Sequence, residues 1–187
     1  MKAIVCRQYG GPEVAQIEDI PSPPVRPGTV RIAVRACAAS FASLLVMAGR
    51  HQNRAPLPLT PGTEIAGVVT EVDAGVTRFR VGNRVIAGVQ SGGYAQEAVV
   101  PEQTVFHLPD DIPFEIGAQF PTVYGTAFAA LSWRANLAPG EVLLVHGAAG
   151  GSGLAAVHAT VPLAEFGEAL RMIASREAIG RVVMLPM

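Results

Sequence analysis

Residues 141–153 read EVLLVHGAAGGSG, and this stretch limits the available folds more than any other. Glu141–Val145 is a strand pattern that is apolar after its first residue, the kind expected inside a parallel sheet buried on both faces. Gly147, Gly150, Gly151 and Gly153 follow as a glycine-rich turn leading into a small-residue helix start. That order opens a dinucleotide-binding unit, in which bare backbone approaches a pyrophosphate at a helix N-terminus. The chain does not continue as such a unit. From Pro162, PLAEFGEALRMIAS places Leu163, Phe166, Leu170 and Ile173 at helical spacing, and GRVVML then closes as a strand. A complete dinucleotide-binding domain needs roughly 140 further residues of alternating strands and helices between those points.

The remaining chain is β-rich up to Asp110. KAIVC and AQIEDI are short strand candidates, and PSPPVRPG is a rigid extended connector. TVRIAVRACA alternates polar and apolar from Thr29, as a half-buried strand does. FASLLVMAG is a helical turn ended by Gly49. EIAGVVTEVDAGV and RVIAGV are apolar strands, GGYAQEAVVP alternates again, and TVFHLP is a brief strand. Short strands at close spacing with Gly and Pro punctuation imply a barrel or sandwich. After Asp110, PFEIGAQFPTVYGTAFAALSWRANL reads as helix with a break at Pro121, and Phe120, Phe128 and Trp133 are expected to pack it against the strands.

Composition excludes several classes. Of 187 residues, 50% are hydrophobic and 16% charged, so a core is available and disorder is excluded. A net charge of −1 leaves no basic footprint for nucleic acid. Residues 142–164 lack Asp, Glu, Lys and Arg, but four glycines, two histidines and Pro162 make them a poor membrane span. The apolar stretch near Met1 is too short for a signal peptide. Cys6 and Cys37 cannot build a disulfide scaffold or a four-cysteine metal site. A soluble, cytoplasmic protein with reduced thiols is expected, and Cys37, in a strand pattern, should be buried and inert.

Five segments stand together in one order: GTVRIAVRACAASFASLLVMAGRH, LPLTPGTEIAGVVTEVDAGVTRFRVGNRV, GGYAQEAVVP, LPDDIPFEIGAQFPTVYGTAFAAL and LAPGEVLLVHGAAGGSG. In these the chain resembles the zinc-independent quinone oxidoreductase branch of the medium-chain dehydrogenase/reductase superfamily. The resemblance implies a mainly β fold with helices (α+β), a GroES-like, partly open β-barrel catalytic domain with its Rossmann domain deleted. Residues 1–140 would form the catalytic domain, 141–157 a remnant of the first Rossmann strand and glycine turn, and 158–187 a helix and strand returning to the catalytic domain. The junction falls between Leu154 and His158. Engineered excision, natural deletion and an omitted stretch all remain open as its origin.

The resemblance also implies the chemistry. The parent protein would be an NADPH-dependent reductase of quinones or enone-type carbonyls, working by hydride transfer. Ser40, His51, Thr63 and Tyr124 would line the substrate and nicotinamide cleft, with Thr122 and Thr126 beside the cofactor. The alternative for the threonines is local: Thr122 and Thr126 bond back into their helix and Thr63 satisfies a loop. Zinc-dependent relatives place Cys and His where Ser40 and Thr63 stand, and neither hydroxyl is a normal zinc ligand, so no zinc is expected. Where the branch has Asn, Asp and Tyr, this chain has Ser40, Ser43 and His51. Glu64 stands where the family keeps a carboxylate, and could hold an arginine or a loop amide. In this chain Gly147, Gly150, Gly151 and Gly153 would be a cofactor-site relic binding no cofactor tightly, and the unpaired edges of Glu141–Val145 would invite homo-oligomerisation. Two other readings are a non-catalytic GroES-like domain and a zinc-free enoyl reductase.

Overall fold

The computed structural model describes residues 1–148 and 150–158. Strand β1 (Lys2–Cys6) pairs antiparallel with β2 (Ala15–Asp19). A second sheet contains β3 (Thr29–Cys37), β4 (Glu64–Val72), β5 (Arg84–Gly88), β6 (Glu97–Pro101) and β7 (Val105–His107), in the order β6-β3-β4-β5-β7. All its pairs are antiparallel, and β3 shifts register against β4 between Arg31 and Ile32 and again between Val34 and Ala36. Such irregularities bend and twist a strand, which curls the sheet into a half-barrel. The small sheet is stitched alongside it where Ile4 N–H donates to Tyr94 O at 2.8 Å and Cys6 N–H to Leu59 O at 2.8 Å.

The alternation read from β3 is real: Val30 and Ile32 are fully buried with Ile65, Val69, Val85 and Val105 in the barrel core. The centre of the sheet is covered on its other face as well. There Ala66, Ile86, Leu108 and Ile112 pack with Ala118 and Phe120 from the helices. This second layer explains why β4 is apolar on both faces over Ile65–Val69.

The helical region is divided into α2 (Phe114–Gly117) and α3 (Phe120–Phe128), and α3 continues through a π-helical turn over Ala129–Arg134. The break therefore precedes Pro121, which occupies the first turn of α3, where its missing N–H costs nothing. Phe120 packs as expected, whereas Trp133 is 75% exposed and meets Phe128 edge-on, at 5.6 Å between ring centroids. A helix α1 (Phe41–Met47) follows β3, and α4 (Gly151–His158) follows the glycine turn.

Glu141–Val145 is not a strand, which corrects the sequence expectation. Val142 is 96% and Leu144 79% exposed, and among the described residues no backbone bond uses residues 142–146. A strand exists only through its ladder, and among the described residues none pairs with this segment. The C-terminal helix and strand expected from Pro162 onward lie outside the described residues. Among the described residues no helix is long and apolar enough to cross a membrane.

Candidate active-site cleft

The residues that the resemblance assigns to a cleft come mainly from three places: the turn between β3 and α1, the loop before β4, and α3. Ser40 sits at the N-cap position of α1 without capping it by a side-chain bond. Its Oγ lies 3.4 Å from Ser43 Oγ, and Tyr94 OH reaches both Ser43 Oγ at 3.0 Å and Ala38 O at 3.1 Å. Three hydroxyls thus stand in file, with Ser43 buried at the middle. From the sequence Tyr94 reads only as part of an alternating strand, and nothing in its local pattern marks it as a partner of Ser43.

Thr63 precedes β4, and its carbonyl accepts from Val89 N–H at 2.8 Å. The loop is held by its glycine. Gly62 has φ +94°, and a Cβ there would fall 2.6 Å from Tyr94 N. Only glycine permits both that φ and that approach. In this way the loop carrying Thr63 and the turn carrying Tyr94 are pressed together, with Tyr94 N–H on Pro61 O at 2.9 Å and Gly93 N–H on Gly62 O at 3.1 Å.

Glu64 is 3% exposed, yet ionisable. Its Oε1 accepts the Thr122 N–H at 2.8 Å, and the Thr122 side chain adds a hydrogen bond. Burial pushes the Glu64 carboxyl above the usual carboxylate range, against the lowering effect of those two bonds. Of the two partners the sequence left open, an arginine or a loop amide, the observed bond is to neither: the amide it accepts belongs to the first turn of α3. Cys37 is half-buried and its thiol is pushed up to about 12, chiefly by burial, so it stays protonated and unreactive.

The remaining sequence-picked residues are placed less tightly. His51 follows α1 and is half-buried, with Nδ1 accepting from Asn53 N–H at 3.2 Å, so this ring is engaged with its own loop. Tyr124 stacks on Phe120 with centroids 4.4 Å apart, and burial raises its hydroxyl's pKa. Thr126 is exposed on α3. The glycine turn is formed: Gly147 has φ +69°, Gly150 N–H donates to Gly147 O at 2.9 Å, and a Cβ on Gly153 would fall 2.2 Å from Gly147 O. A Cβ on Gly151 would meet Val123 at 3.4 Å, so α4 begins against α3. The small-residue helix start read after the turn is present as α4, which docks on the α3 helix. Among the described residues no three His, Cys, Asp or Glu side chains are grouped to hold a metal ion.

Comparison with known proteins agrees with this geometry. The Alcohol dehydrogenase GroES-like domain matches residues 26–110. A quinone oxidoreductase-like protein 2 homolog from Nematostella vectensis is 39% identical over 83% of this chain and 43% of its own length. Among solved structures, the quinone oxidoreductase of Thermus thermophilus, also solved in complex with NADPH, matches at TM-score 0.74 and 37% identity, over 84% of this chain and 49% of its own. The human synaptic vesicle membrane protein VAT-1 homolog-like protein matches at TM-score 0.82 and 34% identity, over 84% of this chain and 50% of its own. Half-barrel, helical cover and matched domain together define a GroES-like member of the medium-chain dehydrogenase/reductase superfamily. Within it, this chain is a quinone oxidoreductase-like member. The chain spans about half the length of the curated relatives it matches, 43–48% of theirs.

Proposed function

We propose that this chain is the substrate-binding half of an NADPH-dependent, zinc-free reductase of quinones or enone-type carbonyls. Residues 1–140 form its catalytic domain, 141–157 the remnant of a nucleotide domain, and 158–187 the return to the catalytic domain. The observation that carries this reading is the file Tyr94–Ser43–Ser40, set beside Thr63 and the Glu64–Thr122 link. It offers hydroxyl donors and no nucleophile–base pair. Such a wall suits a carbonyl oxygen that gains negative charge and then a proton. In this reading Ser40 donates to that oxygen, and Ser43 and Tyr94 hold the Ser40 hydroxyl in aim. Tyr124 and Thr63 flank the ring, His51 closes the mouth, and Thr122 and Thr126 face the cofactor side.

The chemistry NADPH would supply when bound is a hydride, two electrons and one hydrogen; a single further proton then completes the hydroquinone, leaving NADP⁺. In this reading the glycine turn would hold the pyrophosphate end of such a cofactor, supported by the open space beside the Gly147 backbone, where a Cβ would meet nothing within 4 Å; Gly153 serves the turn itself, since a Cβ there would fall 2.2 Å from Gly147 O. The two free cysteines, Cys6 and Cys37, suit a reduced cytoplasmic setting. Self-association would run along residues 141–145.

The test uses the 187-residue chain. Titration with 1,4-naphthoquinone, followed by NMR, is expected to shift Ser40, Ser43, Tyr94 and Tyr124 resonances. NADPH is expected to bind no tighter than about millimolar, because losing half of the roughly −8 kcal/mol of a micromolar site has that effect. Quinone shifts confined to other residues would refute the cleft. The exposed 141–145 segment, without a pairing partner among the described residues, favours a second reading, a non-catalytic GroES-like module. Failure to bind any quinone would support that one.

A further inference from the structure

The α3 N-terminus has no cap of its own. Gln119 at the N-cap makes no side-chain capping bond, its Nε2 donating backwards to Glu115 O at 3.1 Å, and Pro121 in the first turn brings no N–H. The first amides of a helix need acceptors from elsewhere, and a negative charge there is favoured by the helix dipole. The acceptor for Thr122 N–H arrives from another element: Glu64 Oε1, at the start of β4, at 2.8 Å. The same residue's backbone carbonyl accepts Ala38 N–H at 3.1 Å, which fixes the end of β3 two residues before Ser40. A buried carboxylate is costly unless its position is needed and its bonds are made. Here it is 3% exposed.

We infer that Glu64 is a positioning residue that caps α3 from β4 and thereby sets Thr122 and Tyr124 against Thr63 and Ser40. One residue ties both walls of the cleft: the main chain holds the Ser40 side and the side chain holds the α3 side. Glu64 touches no substrate in this arrangement. It acts through the Thr122 amide and the direction of the helix behind it. The role of that wall in binding a quinone rests on the proposed function; the cap itself does not.

The experiment compares the full chain with Glu64→Ala and Glu64→Gln. Gln keeps an oxygen at the same reach, so it should restore what Ala removes. In Glu64→Ala the Thr122 amide is expected to exchange at least about tenfold faster, as loss of a hydrogen bond to a charged group implies. The Tyr124 ring resonances should move with it, and both should return in Glu64→Gln. Affinity for 1,4-naphthoquinone should weaken in the Ala variant and recover in the Gln variant. An unchanged Thr122 amide in Glu64→Ala, or a Gln variant that behaves like Ala, would overturn the inference. If Glu64→Ala does not fold, Thr122 protection in Glu64→Gln decides: retention supports the cap and loss refutes it. Absence of naphthoquinone binding by the wild-type chain would count against the reductase reading alone, because the ligand-free exchange data still decide the cap.

Discussion

Gly62→Ala separates two costs that usually arrive together, and Gly82 supplies the control. Both glycines lie at nearly the same φ, +94° and +92°. A Cβ at Gly82 would meet nothing within 4 Å, whereas at Gly62 it would fall 2.6 Å from Tyr94 N and 2.9 Å from Gly93 C. Alanine at Gly82 therefore incurs only the left-handed backbone strain, about 1–2 kcal/mol. Alanine at Gly62 incurs that strain and must also push two backbones apart. The bonds Tyr94 N–H to Pro61 O (2.9 Å), Gly93 N–H to Gly62 O (3.1 Å) and Gly92 N–H to Thr60 O (2.7 Å) span that contact. At about 1 kcal/mol each, losing two or three brings the expected destabilisation to about 3–5 kcal/mol. For a chain of this size that lowers Tm by roughly 6–20 °C. Urea denaturation read by far-ultraviolet circular dichroism gives the difference directly, provided the slope m is unchanged. A Gly62→Ala variant within about 0.5 kcal/mol of Gly82→Ala would refute the claim that close approach, and not φ alone, fixes this loop.

Further outcomes follow from individual contacts. Asp73 is held below its ordinary carboxylate value, first by the Gly28 N–H and then by the Gly75 N–H. A depressed folded pKa adds stability above the unfolded value of 3.8 that is lost as pH falls through the lower folded one. Asp73→Asn should flatten that acid limb in urea midpoints taken across it, and an identical limb would contradict the assignment. Glu64 has the opposite sign: its raised pKa gives stability that is fully present below 4.5 and lost as pH rises through the folded value. Glu64→Gln should therefore gain on the wild type between acid and neutral pH, and parallel midpoint curves would count against burial as the cause. Val142 is 96% exposed, so Val142→Lys should change monomer stability by less than about 0.5 kcal/mol. The same variant should lower any self-association seen by sedimentation, and a loss of more than about 2 kcal/mol would mean that residue 142 is buried after all.

The barrel was legible because period-two alternation is a direct consequence of a sheet with one buried face. Val30 and Ile32 of β3 announce themselves in TVRIAVRAC, and the structure buries both. Glu141–Val145 fails for the complementary reason. A run of Val and Leu reports that a segment would be buried if partners existed, and it carries no information on whether they do. With no ladder partner among the described residues, Val142 and Leu144 stand exposed and the segment is not a strand. Trp133 misled in the same way: an aromatic at helical spacing prefers a core, but in the π-helical turn it stands 75% exposed.

The site was legible where a residue's type limits its chemistry, and hidden where the chemistry depends on a distant partner. Ser40 and Thr63 could be read as hydroxyl positions from the sequence, and Thr63 and Glu64 are brought to the loop by the glycine before them. The Tyr94–Ser43 contact spans fifty-one positions and has no local signature. The Glu64 cap left a trace, though only in two places read jointly. A carboxylate opens the apolar run EIAGVV, where a charge needs a buried acceptor role, and a helix starts at Phe120–Pro121 with no Ser, Thr, Asp or Asn at its N-cap. Each is an unmet requirement: one of a buried anion for donors, the other of a helix end for an acceptor. The fold satisfies both with a single 2.8 Å contact. Paired deficits of this kind can be sought in any sequence where a buried-strand acid and an uncapped helix occur together, and the pairing predicts a tertiary contact that alternation and propensity do not.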